Sequence, residues 1–295
     1  MATPQPGIFA QGTRSHRHLE FELLPDVTTE ATLAALRGLR QPSATAGDAN
    51  IVIGFSPALW RRIAPGVAPA ALTEFPDLDG VPSTEHDIWV WIHGTGDDEL
   101  LDISRAVAGL LQPVAAVAQE VAGFAYHDSR DLTGFIDGTE NPVLEEAFTV
   151  ATIADGNPGA GGSFAITQRW VHDLAAFERL PVPEQEGVFG RTKADSVELA
   201  DDVKPPTAHI ARVVIEDKDG EEMEIYRRSV PYGTVSENGL HFVAFSADPH
   251  RFTAMLERMF DAADGLRDRL TEFSTPITGA YWFVPGLDDL AAAFG

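Results

Sequence analysis

Polar and apolar residues alternate with period two along several stretches of this chain and with a period near four along others, which outlines strands separated by helices. His18-Leu19-Glu20-Phe21-Glu22-Leu23 alternates strictly and predicts a strand with one buried face. Thr28 or Thr29 is placed to cap a helix running to about Arg37. Residues 50–55 predict a second strand, followed by a short helix over 59–63. Residues 87–93 predict a third strand, 99–111 an amphipathic helix and 114–124 a fourth strand. That order is βαββαβ with one extra short helix, the ferredoxin-like arrangement.

The second half repeats the order loosely. Residues 163–170 predict a strand, 171–180 a helix, 209–215 the start of a new apolar segment, 224–230 and 241–245 strands, and 249–260 a helix. Ile53-Gly54-Phe55-Ser56-Pro57 and Val243-Ala244-Phe245-Ser246-Ala247 both end a strand in Phe-Ser and enter a helix, which suggests duplication. The Gly-, Asn- and Pro-rich stretch 155–162 predicts the linker, dividing the chain into halves 1–154 and 155–295.

Composition narrows the chemistry. With 295 residues, 44% of them hydrophobic, the chain has ample material for a buried core. Its 45 acidic residues against 21 basic give a formal net charge of −24, which repels nucleic acid and anionic membrane surfaces. Absence of cysteine excludes disulfides, a thiolate nucleophile, iron–sulfur clusters and thiolate-ligated haem. No signal-like segment opens the sequence and no long apolar run interrupts it, so a soluble cytoplasmic protein is expected.

Gly134-Phe135-Ile136-Asp137-Gly138-Thr139-Glu140-Asn141-Pro142 is the most informative run. It places a carboxylate on a turn flanked by glycines, which free the backbone for close approach to a flat ligand. Asp-Gly alone is an ordinary surface turn; the full run is far more specific. Of nine histidines most need no function, and His16 and His18 lie beside a charged amino-terminal tail. His209 differs, because it follows the stiff Lys204-Pro205-Pro206 stretch and opens an apolar run, so its ring is placed at an element boundary facing the interior. Strand periodicity over 224–230 puts Ile225, Arg227 and Ser229 on one face and Tyr226 and Arg228 on the other. Arg227 is then a solvated edge charge or a buried partner for an anion, and Arg191 has the same two readings.

The Gly134 run, Gln5-Pro6-Gly7-Ile8, Gly190-Arg191-Thr192-Lys193, the His209 segment, residues 227–233 and the segment 273–283 together resemble the B-type dye-decolourising peroxidases, in the same order and at similar spacing. The resemblance implies an α+β fold of two ferredoxin-like halves with antiparallel sheets packed together and helices outside, as in dimeric α+β barrels. It implies one haem b per chain, with His209 as the axial iron ligand and Asp137 and Arg227 as the catalytic pair. Gly138, Thr139, Arg191 and Ser229 would complete the cofactor site, Arg191 against a propionate. H₂O₂ would be reduced and dyes or other small aromatic donors oxidised through a ferryl intermediate, in a homo-oligomer. Relatives can also be enclosed in a protein shell, but the segment 287–295 shows no convincing docking peptide.

The sequence departs from the family pattern in having Ser229 where Asn is frequent, and Ala208 where Ser often precedes the histidine. Glu272 is the expected carboxylate partner of His209. Tyr126, Tyr226, Trp170 and Trp282 are candidate electron relays, with a simple core role the commoner reading of such residues. A chlorite dismutase or coprohaem decarboxylase lacks the Gly-x-x-Asp-Gly loop, and a haem-handling protein with incidental peroxidase activity is the remaining alternative.

Overall fold

A computed structural model describes residues 2–39 and 49–294; Met1 and Gly295, at the ends of the two terminal segments read above, lie outside the described residues. The first part of the chain forms β1 (Ser15–Leu23), α1 (Thr29–Gly38), β2 (Asn50–Phe55), α2 (Pro57–Ile63), β3 (Ile88–Gly94), α3 (Asp97–Leu111) and β4 (Ala115–Phe124). A loop leads to α4 (Leu144–Ala151), β5 (Ser163–His172), α5 (Leu174–Phe177), α6 (Val182–Phe189) and α7 (His209–Val213). Then follow β6 (Tyr226–Arg227), β7 (Val230–Gly233), β8 (Asn238–Ser246), α8 (His250–Met259), β9 (Ser274–Pro276), β10 (Ala280–Val284) and α9 (Leu287–Phe294). Thr28 caps α1 by accepting a hydrogen bond from the Ala31 N–H at 3.1 Å.

The first four strands pair in the order β4-β1-β3-β2, and β7-β8-β5-β10 repeats that order in the second part. The two sheets are continuous with one another. β2 meets β10 at Phe55 and Phe283, and β4 meets β7 at Gly123 and Tyr232. With β5 paired to β8 along its length, eight strands close into an antiparallel barrel. The expected packing of two sheets is thereby realised through hydrogen bonds at both seams, and the fold is α+β.

Several local expectations change. The helix expected over 171–180 shrinks to the four residues of α5, since β5 continues to His172, and the apolar run after His209 is helical. The strand expected over 224–230 is broken after Arg227. There the Ser229 hydroxyl accepts the Val243 N–H at 3.2 Å, taking the place of a backbone carbonyl in the ladder.

Closure gives each strand an inner and an outer face. Leu19, Phe21, Val90 and Ile92 point outward into the main core beneath the helices, where Leu36, Leu100, Phe252 and Phe294 meet them. Val52, Trp89, Trp91, Val243, Phe245 and Trp282 fill the interior. On β1 the inward residues are polar: His16 and His18 are 3% and 1% exposed, with Glu20 beside them and His93 and His241 opposite.

Burial, reinforced by the charge of Arg228, pushes His16 down to about 3 and His93 to about 2. Burial, with Arg169 and His16 adding to it, takes His241 to about 3. Burial raises the Glu20 carboxyl to about 8, against a hydrogen bond from Gln119.

A histidine kept neutral in the folded barrel binds fewer protons than in the unfolded chain below its ordinary value near 6.5. Each one therefore removes stability as pH falls from about 6.5 toward 3, at about 1.4 kcal/mol per pH unit. Glu20 acts with the opposite sign between about 4.5 and 8. His241→Leu is expected to flatten the acid side of the stability profile by about one proton, read from urea denaturation at pH 6.5, 5.5 and 4.5. An unchanged slope would contradict the neutral assignment.

Candidate active site

The run 134–142 forms the tip and exit of a loop that follows β4. Arg130 and Ile136 bridge across it, Gly134 turns it at φ +86°, and the Asp137 N–H donates to the Ser129 carbonyl at 2.9 Å. Gly138, at φ +78°, then redirects the chain. Arg130 staples the loop to its neighbour by donating to the carbonyls of Gly134, Lys193 and Ala194 at 2.8–3.1 Å. Asn141 clasps the backbone of Arg227 at two points: its side-chain oxygen accepts the Arg227 N–H at 2.8 Å, and its amide donates to the Arg227 carbonyl at 2.9 Å. Loop and strand are thus locked in one register.

Asp137 and Arg227 both line a cavity of about 220 Å³ on the outer face of β5 and β8, walled by apolar side chains such as Trp170, Phe189, Phe242 and Phe252. Gly138, Thr139, Arg191 and His209 line it too. The two residues also border a second, more polar cavity of about 280 Å³, which holds Ser229 and reaches His16. Ser229 does not line the first cavity. Thr139 bonds the Ser196 hydroxyl at 2.7 Å, and Arg191 donates to the Ser196 carbonyl and pairs with Glu140 and Glu198 at the rim.

Asp137 is half-buried where it lines these cavities. Burial raises its carboxyl above the usual range; the Arg227 charge opposes the rise and the Asp131 charge adds to it. The Arg227 Nε has no hydrogen-bond partner among the described residues. Its neighbour Arg228 turns inward, as the alternation predicts, where the carbonyls of Ile8 and Ala10 and the faces of Trp91 and Tyr226 satisfy it.

His209 opens α7 and lines the same cavity as this pair. Its Nδ1 lies 2.6 Å from Asp268 Oδ2, and Asp268 is fully buried. With the Asp268 carboxylate accepting from Nδ1–H, Nε2 is the nitrogen left to meet a ligand, on a ring that lines the cavity. Glu272, the carboxylate expected there, is instead 59% exposed and faces Arg269 at 3.8 Å. Asp268 precedes the 3₁₀ turn Arg269–Glu272 and caps it through the Leu270 N–H, so a helix-start aspartate one turn earlier holds the position.

Two family patterns, described as Dyp-type peroxidase N-terminal and C-terminal, match residues 23–125 and 128–289. The chain belongs to the Dyp-type peroxidase family. A dye-decolorizing peroxidase of Rhodococcus erythropolis is 40% identical over 261 residues, 86% of this chain and 76% of that protein. A solved variant of DypB from Rhodococcus jostii, in complex with heme, superposes with a TM-score of 0.89 at 34% identity, covering 99% of both chains. The encapsulated DyP-type peroxidase of Mycobacterium smegmatis, solved by cryo-electron microscopy, gives a TM-score of 0.87 at 34% identity over 98% of both chains.

Within this Dyp-type peroxidase, sequence reasoning missed Asp268, Asn141 and Arg130. Asn141 carried a signal, since it stands inside the run that drew attention to Asp137. Asn141→Ala is expected to cost about 1–3 kcal/mol of stability, because it strands two backbone groups of Arg227. Glu140→Ala, at the exposed rim, should cost less than about 1 kcal/mol. Denaturant titration of both variants checks the order; equal losses would show that the clasp is not structural.

Proposed function

We propose that this chain is a haem peroxidase that reduces H₂O₂ and oxidises dyes or other small aromatic one-electron donors, with one haem b held through His209. The observation that carries the reading is the His209–Asp268 pair, which leaves one imidazole nitrogen for an apolar cavity that Asp137 and Arg227 also line. The donor set fits haem: apolar walls for the ring, an imidazole nitrogen for the iron, and cationic side chains for anionic groups. Arg191, beside Gly138 and Thr139, would exchange its exposed partner Glu140 for a propionate.

Bound haem supplies the two-electron reduction of peroxide and the one-electron oxidation of the reductant. Asp137, when ionised, accepts the proton of one peroxide oxygen and returns it to the other, so that water leaves. Arg227 keeps its charge throughout and stabilises the negative charge developing on the departing oxygen. Ser229, with its hydroxyl engaged by Val243 in the second cavity, reaches peroxide through water.

Halves 1–154 and 155–295 would divide this work: the first brings the loop of Asp137, the second His209, Arg191 and Arg227. The repeated strand order supports that division. Among the described residues no helix is long and apolar enough to cross a membrane. A cytoplasmic homo-oligomer without nucleic-acid or membrane partners is part of the proposal, and the net charge of −24 supports its last element by repelling phosphate-rich surfaces. An enclosing shell, as for the M. smegmatis protein, is supported here by that relative alone. Light scattering at micromolar concentration tests the assembly, and a monomer would count against it.

His209→Ala is expected to abolish haem retention or the normal absorption spectrum; an unchanged Soret band with full activity would sink the assignment. Rapid haem loss to apomyoglobin with negligible dye turnover would favour the haem-handling alternative.

Because the Arg227 charge holds the Asp137 carboxyl down against burial, Arg227→Leu should raise it further. The acid limb of the peroxide reaction should then move to higher pH, besides a rate loss of roughly 10²-fold or more. Asp137→Ala should remove the limb. Stopped-flow rates at several pH values decide: if Arg227→Leu abolishes the reaction while Asp137→Ala barely changes it, Asp137 is not the principal proton acceptor.

A further inference from the structure

His172 ends β5 on the face that lines the first cavity, and nothing described so far uses it. Its Nε2 lies 3.1 Å from Asp131 Oδ1 and its Nδ1 2.8 Å from Ser274 Oγ. The side chains of His172 and Asp131 are 5% and 11% exposed. Asp131 Oδ2 accepts from the Thr133 N–H at 3.0 Å and the Thr133 hydroxyl at 2.6 Å. Burial acts to raise the Asp131 carboxyl, but the hydrogen bonds and charge of its partners, His172 first, hold it below the usual range. Asp131, His172 and Ser274 line the same cavity as Asp137.

The partners of a buried histidine decide whether it can change charge. Inside the barrel, His16 Nδ1 accepts from the Trp91 indole, which can only donate, and His93 Nε2 donates to the Gly7 carbonyl, which can only accept. The Thr13 hydroxyl between them is oriented in consequence, accepting from His16 and donating to His93. A second proton on His16 would face the Trp91 N–H, and His93, whose Thr13 partner could rotate, is kept at one proton by burial and by the charge of Arg228. Both rings are held in one state.

His172 is built differently. The Asp131 carboxylate takes the Nε2 proton in either charge state, while the Ser274 hydroxyl donates to a bare Nδ1 or, after rotation, accepts from a protonated one. This histidine can therefore gain and lose a proton without losing a hydrogen bond.

We propose that His172 is the proton store of the cavity: it takes a proton from solvent, holds it against Asp131, and releases it past Ser274 toward Asp137 during peroxide reduction. The proposal rests on the role given to Asp137 above. Reducing H₂O₂ to two waters consumes two protons with the two electrons that the reductants deliver, whereas Asp137 only moves peroxide's own proton from one oxygen to the other. An added proton must come from another group. When His172 discharges, its Nδ1–H bond breaks, a water O–H forms, the ring becomes neutral and Ser274 turns to donate to it; solvent then restores the proton. The titratable and charged groups that act on Asp137 are Arg227 on β6, Asp131 on its own loop and His209 on α7, and Asp131 is the one that bonds His172.

Long-range ¹H–¹⁵N NMR of the haem-loaded protein, in its diamagnetic ferrous–carbonyl form, tests the first half. His172 is expected to pass from a one-proton to a two-proton ring across the pH range in which the protein stays folded, while His16 and His93 keep one proton. A His172 ring fixed in one state over that range overturns the proposal. His172→Gln keeps a donor for Asp131 and an acceptor for Ser274 but cannot be charged. With a small one-electron donor present, it should complete the reduction of H₂O₂ to two waters roughly tenfold or more slowly, because the donor steps consume the added protons, with haem binding and unfolding midpoint unchanged. Full rate in this variant also overturns the proposal, since a purely positioning histidine would behave that way. The titration is read without turnover, so a protein that binds haem yet consumes no peroxide would fail the functional reading while the charge exchange of His172 is still decided.

Discussion

A sheet closed on itself gives each strand one face turned into the barrel and one turned toward helices, and period-two alternation assigns every side chain to one or the other. The site follows from that constraint. On β5, Ile166, Gln168, Trp170 and His172 face outward and wall the cavity, while Thr167 faces inward and accepts from the Trp282 indole. On β6 the same parity sends Arg227 to the cavity and Tyr226 to the interior. A shift of one residue in either strand would exchange an apolar wall for a barrel lining and bury the wrong arginine.

Charge is handled differently on the two sides. Within the barrel, Arg228 meets backbone carbonyls and aromatic faces, and the histidines are neutral, so the interior carries little net charge despite its polar residues. The cavity instead holds the Arg227 guanidinium, whose Nε has no partner among the described residues, and the Asp137 carboxyl, raised by burial. Groups in that condition are costly in a folded protein and persist where a ligand or a reaction meets them. The backbone around them is tied down by Asn141 and Arg130, which transfers the cost to a rigid frame.

Much of the fold was legible along the chain. The strands of the first part, the helices between them and the ferredoxin-like order follow from alternation and capping, because these are local properties of the backbone. The opposite directions of Arg227 and Arg228 followed as well, since parity survives even where Ser229 interrupts the ladder. Extents were less legible: β5 runs on through residues 171 and 172 because it pairs with β9, a partner remote in sequence.

By itself the sequence determined the class of fold, the family, and the residues with which the chemistry was read, because period, turn glycines and motif spacing are local. The joining of the two sheets into one barrel was decided only in three dimensions, through a single residue pair at each seam. So was the burial of His16, His18 and His241, whose neighbours come from strands far apart in the chain. So too was the choice of Asp268 over Glu272 beside His209: both lie near the same 3₁₀ turn, and only packing shows which carboxylate is enclosed and which is left to water.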